Sequence, residues 1–134
     1  MVFVDVPDRP RVVWPWATPL ILVMCVGTYV LLALSDFATR DALLLRWGAL
    51  SAEAGDWRTL LQWDRAMGLV TTLGLHANGT HLLGNMLFLL IFGLPAERVI
   101  GSLRLLLLFI VGGAVANFAA ALSMDRPDRV IIGA

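Results

Sequence analysis

Three stretches without a single charged residue constrain this chain more than any other feature. Ala17 to Leu34 runs for 18 residues, Ala66 to Ala96 for 31, and Leu105 to Met124 for 20. A bilayer's hydrocarbon core of about 30 Å is crossed by about 20 apolar helical residues. A soluble domain holding three such helices would have to bury them on every side, and 134 residues are too few for that. The predicted fold is an all-α membrane protein with three transmembrane helices, at about 17–34, 81–98 and 104–124. With 59% hydrophobic residues and a net charge of zero, the chain carries no basic patch that would suit nucleic acid.

The segments between the spans have distinct characters. Residues 1–16 form a polar tail interrupted by Pro7, Pro10 and Pro15, and Pro19 falls in the first turn of span one, where a missing amide costs little. Trp14 and Trp16 read as an interfacial belt, which favours a retained helix over a cleaved leader. Cys25 lies inside that helix, has no partner for an intrachain disulfide and reads as packing. Residues 35–65 form a long first loop with four arginines and five acids. Within it, "DWRTLLQWDRAMG" predicts a short helix capped by Asp56 and stopped at Gly68. Trp57, Leu60, Leu61 and Met67 would share its apolar face, so it should lie in the membrane interface.

Span two, starting near His81, has only about 15 uncharged residues, or about 22 Å of helix. Pro95 and Glu97-Arg98 mark its far end, and a turn at Gly101 leads into span three. Asp125 to Arg129 is a polar turn, and residues 130–134, "VIIGA", open a fourth apolar segment. Arginines divide four against six between the two faces, with the N-terminal tail on the poorer side, so charge bias does not assign that tail to the cytoplasm.

The polar cluster "HANGTHLLGNM", at the mouth of span two, is the candidate site. His81 and Asn85 are four residues apart and share a helical face, which Phe88 and Phe92 continue, while Gly84 would admit a neighbouring backbone. Two donors in a poorly hydrated place can bind a developing oxyanion. The same pair can equally glue helices together through interhelical hydrogen bonds. His76 and His81 are five apart with no glutamate between them and no nearby carboxylate or cysteine, so no metal is expected. "ANGT" matches a glycosylation acceptor but reads as a tight turn, with Thr80 as the cap of span two. In span three, Gly113, Asn117 and Ala121 form one small-residue stripe, and Gly112, Ala116 and Ala120 form another; both favour close packing.

"LHANGTHLLGNMLFLLIFG" and the subsequent "ERVIG" closely resemble the second transmembrane helix of rhomboid intramembrane serine proteases. The matching positions are His76, His81, Asn85, Glu97 and Gly101, and the resemblance covers residues 66–134 well. It implies a six-helix bundle with a serine–histidine dyad that needs neither metal nor cofactor. It implies substrates that are single-pass transmembrane proteins, cleaved in or near the bilayer, and a location in the membrane, taken as a bacterial inner membrane. The dyad serine opens the fourth helix in a Gly-x-Ser-Gly motif, and "IIGA" resembles its lead-in, with Gly133 as the first glycine. That serine would follow Ala134, so these residues alone are expected to be inactive. By the same resemblance His81 and Asn85 are oxyanion-hole residues. His76 shapes the site, and Glu97 with Gly101 forms the turn at the far end of span two. The tail would then be cytoplasmic and the first loop outside. One departure stands in the first loop: the family's Trp-Arg pair shortly before the first histidine is replaced by Met67-Gly68, while Trp57-Arg58 lies ten residues earlier. A non-catalytic rhomboid-like protein that binds transmembrane segments is the rival reading, and oligomeric state is left open.

Overall fold

The computed structural model describes residues 14–51, 56–124 and 130–131. Three helices in it are long and apolar enough to cross a membrane: Ala17–Leu34, Gly79–Ile100 and Ser102–Ser123. The first, α1, has the bounds of the first uncharged run, and its C-cap Ser35 precedes Asp36. Most of the N-terminal tail, the turn at 125–129 and Gly133 with Ala134 lie outside the described residues.

The first loop is more helical than its charge content predicts. Phe37–Trp47 forms α2, whose N-cap Asp36 accepts the Thr39 amide at 2.9 Å and the Thr39 hydroxyl at 2.8 Å. These bonds hold the exposed Asp36 carboxyl below its ordinary range. After strand β1 (Ala49–Leu50), the single helix predicted from Asp56 is in fact two. Asp56 does cap the first, α3 (Trp57–Leu60), accepting from Thr59, but the chain then breaks at Leu61-Gln62. Helix α4 (Trp63–Thr71) follows and runs past Gly68 into a 3-10 turn at Thr72–Gly74. The break separates residues expected on one face. Leu60 is fully buried while Leu61 is 58% exposed.

The second long helix begins at Gly79, two residues before His81. The capping residue is Asn78, not Thr80: its extended backbone lets the side-chain oxygen accept the His81 amide at 2.9 Å. Helix α5 (Gly79–Phe88) passes into a π turn at Leu89–Gly93 and continues as α6 (Leu94–Ile100). Pro95 explains the π turn. Proline cannot donate to the carbonyl four residues back and its ring crowds that carbonyl, so the backbone widens just upstream. The helix therefore passes through Pro95 instead of ending there. It stops at Gly101, whose φ of 90° and ψ of 152° belong to a region essentially reserved for glycine. Ser102 then starts α7 (Ser102–Ser123).

Two clusters hold these elements together. In the membrane-spanning part, Ile21 and Cys25 of α1 meet Leu82 and Met86 of α5, with Leu106 and Phe109 of α7 against them. Beside the first loop, Ala49, Leu60, Leu69, Ala121 and Ile131 form a second core. Burying a leucine such as Leu60 stabilises such a cluster by about 1.5–3 kcal/mol. Ile131 reaches it from β2 (Val130–Ile131), which pairs antiparallel with β1 in the register Ala49 opposite Ile131. Residues 130–131, the start of the fourth apolar segment, are thus extended.

The two small-residue stripes on α7 are used unequally among the described residues: Ala120 of the second packs beside the loop-side core, while the first makes the close contacts. Gly113 receives the side chain of Leu73, Asn117 donates to the Leu69 carbonyl at 2.8 Å, and Ala121 is fully buried. A Cβ on Gly113 would collide with the Leu73 methyls. Gly112 meets nothing within 4 Å. Asn117 is therefore a buried interhelical hydrogen-bond donor, the structural role that small and polar residues commonly fill between membrane helices.

Candidate functional site

The site is built on the entry to α5. His81 sits on its first turn and Asn85 one turn below, about 6 Å further along the axis and on the same face. Both are half-buried in the described structure. Just before the helix, the chain leaves the 3-10 turn and carries His76 inward, where it is 4% exposed. Its Nδ1 lies 3.3 Å from the Gly74 carbonyl, and its ring meets that of His81 edge-on, with centroids 5.4 Å apart. Burial holds the His76 imidazole below its ordinary range; the contact with Gly74 opposes this and a charge on His81 would add to it.

This segment is itself anchored to α1. The Thr28 hydroxyl donates to the Gly74 carbonyl at 2.5 Å, and the Cys25 thiol lies 3.8 Å from the Leu73 carbonyl. A side chain added at Gly79 would meet the Tyr29 hydroxyl, so α1 also supports the start of α5. The polar mouth is thus held from behind by α1 side chains, a role that the sequence of α1 does not advertise.

A cleft of ≈ 310 Å³ opens beside this face. His76 and Asn85 give it a polar end, and Met86, Phe88, Leu108 and Gly112 line its apolar part. His81 does not line the cleft itself; it stands against His76 at the edge. Phe88 and Phe92 do continue the Asn85 side, ring to ring at 4.6 Å, but both are exposed among the described residues. Gly84 has nothing within 4 Å, so no described backbone uses the approach it offers. Among the described residues no three histidine, cysteine or acidic side chains converge to hold a metal ion.

The far end of the same long helix explains Glu97. Its carboxylate is fully buried and caps the start of α1, Oε1 accepting the Ala17 amide at 2.6 Å and Oε2 the Thr18 amide at 2.8 Å. Those amides are among the first four of a helix, which have no partner of their own, and the helix dipole favours a negative charge there. Gly101 makes the reversal beside it. Gly133, the last residue expected to matter, lies outside the described part. Trp57-Arg58 sits at the start of α3, with the guanidinium carbon 5.3 Å from the indole centroid, on the loop side of the molecule.

Comparison with known proteins identifies a family. Residues 62–134 match the family described as "Rhomboid domain". "Rhomboid protease AarA" of Providencia stuartii is 31% identical over 107 residues, which are 78% of this chain and 35% of that protein. "RHOMBOID-like protein 6, mitochondrial" of Arabidopsis thaliana is 31% identical over 75 residues, 56% of this chain and 24% of its own length. "RHOMBOID-like protein 2" of the same plant is 28% identical over 98 residues, 73% of this chain and 29% of its own length. The chain therefore spans about a quarter to a third of the length of these relatives. No solved structure matches it. With the family match covering more than half of its residues, this chain belongs to the rhomboid family of membrane proteins.

Proposed function

We propose that the longer protein to which these residues belong is an intramembrane serine protease, hydrolysing a peptide bond in or near the transmembrane segment of a single-pass membrane protein. The observation that carries this reading is the stacking of His81 over Asn85 on one face of α5, beside a cleft with a polar end and an apolar length. An extended peptide from a transmembrane segment suits such a cleft: its backbone needs polar partners and its side chains need an apolar wall. A serine supplied by a later segment would attack the scissile carbonyl carbon while a histidine takes its proton. The carbonyl oxygen then becomes an oxyanion, to which Asn85 from the cleft wall and His81 from its edge would donate. His76 holds the His81 ring in position. The reaction needs neither metal nor cofactor. The bacterial relative with "protease" in its name supports both the activity and a location in a bacterial plasma membrane.

The test uses the longer protein with a transmembrane peptide substrate. His81→Ala and Asn85→Ala should each lower turnover by about ten- to a thousand-fold, as loss of one oxyanion donor does elsewhere. Thermal stability should fall far less. Wild-type turnover in both variants would overturn the assignment and leave the pair as helix glue. A second reading, a non-catalytic rhomboid-like protein that binds transmembrane segments, draws support from the relatives named only "RHOMBOID-like". It predicts that no serine follows Ala134 in the parent coding sequence and that a fluorophosphonate labels nothing. The protease reading predicts serine and glycine there, with labelling.

A further inference from the structure

A second cavity adjoins the candidate site across a shared wall, and nothing in the proposed chemistry uses it. Its volume is ≈ 470 Å³, and its walls come from α1, α2, the α4 end with the 3-10 turn, and α7. Cys25, Leu73 and Phe109 line both cavities, so they form the partition between the site cleft and this one. Along α1 it extends from Ile21 to Leu32, about 16 Å of helix. That is close to half of a bilayer's apolar core of about 30 Å, the depth of one leaflet.

The chemistry changes along this length. The deep part is aliphatic and aromatic, with Ile21, Met24 and Phe109. The shallow part is roofed by α2, where Leu43 and Trp47 sit four residues apart on one face. The Thr71 hydroxyl fixes this roof by donating to the Trp47 carbonyl at 2.6 Å. Over the Trp47 ring, 5.4 Å from its centroid, lies the guanidinium carbon of Arg46. An apolar channel one leaflet deep, with an indole in its wall and a cation stacked on that indole outside the lining, has the polarity profile of a single anionic phospholipid.

We propose that this cavity is a phospholipid site: one acyl chain lies between α1 and α7 under α2, and the phosphate of an anionic headgroup pairs with Arg46. The lipid completes the packing of the first loop against the bundle. The site does not depend on the protease reading.

The experiment is native mass spectrometry of the longer protein, extracted from vesicles of equimolar phosphatidylglycerol and phosphatidylcholine. The wild type should retain one phospholipid, with phosphatidylglycerol favoured at least threefold. Met24→Trp fills the channel from an exposed position, so it should reduce retention at least fivefold. Arg46→Gln should abolish the preference for phosphatidylglycerol and keep part of the retention. Val23→Trp, equally bulky at an exposed neighbour that does not line the channel, should behave as wild type and controls for folding. Three results would each overturn the proposal: retention unchanged in Met24→Trp, equal loss in Val23→Trp, or a wild-type dimer that Met24→Trp dissolves, which would assign the channel to a second copy.

Discussion

Glu97 and Ala17 are 80 residues apart in the chain and 2.6 Å apart in the fold, carboxylate oxygen to helix amide. With the Thr18 amide on its other oxygen, the side chain closes the far end of the bundle by capping α1 from α6. Removing it leaves two buried amides without acceptors. Glu97→Ala should therefore destabilise the protein by about 2–4 kcal/mol, and Glu97→Gln, which keeps one acceptor, by less. Thermal unfolding in detergent reads both. Equal melting temperatures for Glu97→Ala and wild type would mean that the cap contributes nothing.

The reach of the sequence is uneven, and the Glu97 cap shows why. The three spans are legible because a charge inside a bilayer is costly, so uncharged runs mark them directly. The stacking of His81 on Asn85 is legible because it needs only the helical period. Asn78 as the cap is less so: Thr80 is an equally good capping residue, and only backbone geometry separates the two. Glu97's acceptor role is not legible from its own neighbourhood, because its donors come from the start of α1. Reading 35–65 as a loop overlooks α2, although Asp36 followed by Thr39 is a usable N-terminal signal. Its four arginines and five acids mask an α2 that buries no residue and relies on capping for its start.

His76 gives a pH dependence with a defined sign. Its pKa in the fold lies below the ordinary 6.5, because burial disfavours the charged ring. Below pH 6.5 the unfolded chain therefore binds the proton more readily than the folded one, and stability falls as pH drops from there through the folded pKa. Above 6.5 the contribution is complete. Asp36 and Asp56 are also lowered, from 3.8, so their contributions are lost only at more acid pH. Melting temperature should decline as pH falls below 6.5 in the wild type, and this slope should shrink in His76→Gln. A slope unchanged by the substitution would place the titrating group elsewhere.

The contact of Gly113 with Leu73 sets the spacing between α7 and the 3-10 turn that carries the chain toward His76. Gly113→Ala should cost about 1–3 kcal/mol through overpacking. Leu73→Ala costs cavity energy of its own, about 2–5 kcal/mol. Made together, the two should cost less than their sum by about 0.5–3 kcal/mol, since the collision exists only when both side chains are present. Strict additivity would show that the helices separate to absorb the methyl.

Thr72 is fully buried, and its hydroxyl donates to the Ile131 carbonyl at 2.6 Å. Together with the β1–β2 pairing, this bond fixes the last described residues against the turn that leads to His76. On the protease reading, the nucleophile follows Ile131 within a few residues, so the bond also sets where that nucleophile can stand. Thr72→Val keeps the shape and removes the donor, leaving the carbonyl without this partner. The stability cost should be about 1–3 kcal/mol. In the longer protein turnover should fall more than substrate affinity does, because a displaced nucleophile weakens the transition state without disturbing the cleft that binds the peptide. Melting curves and steady-state kinetics on the same preparation separate the two effects. A loss of stability with unchanged kcat would confine Thr72 to holding the loop, and the lead-in would have to be positioned by the segments that come after it.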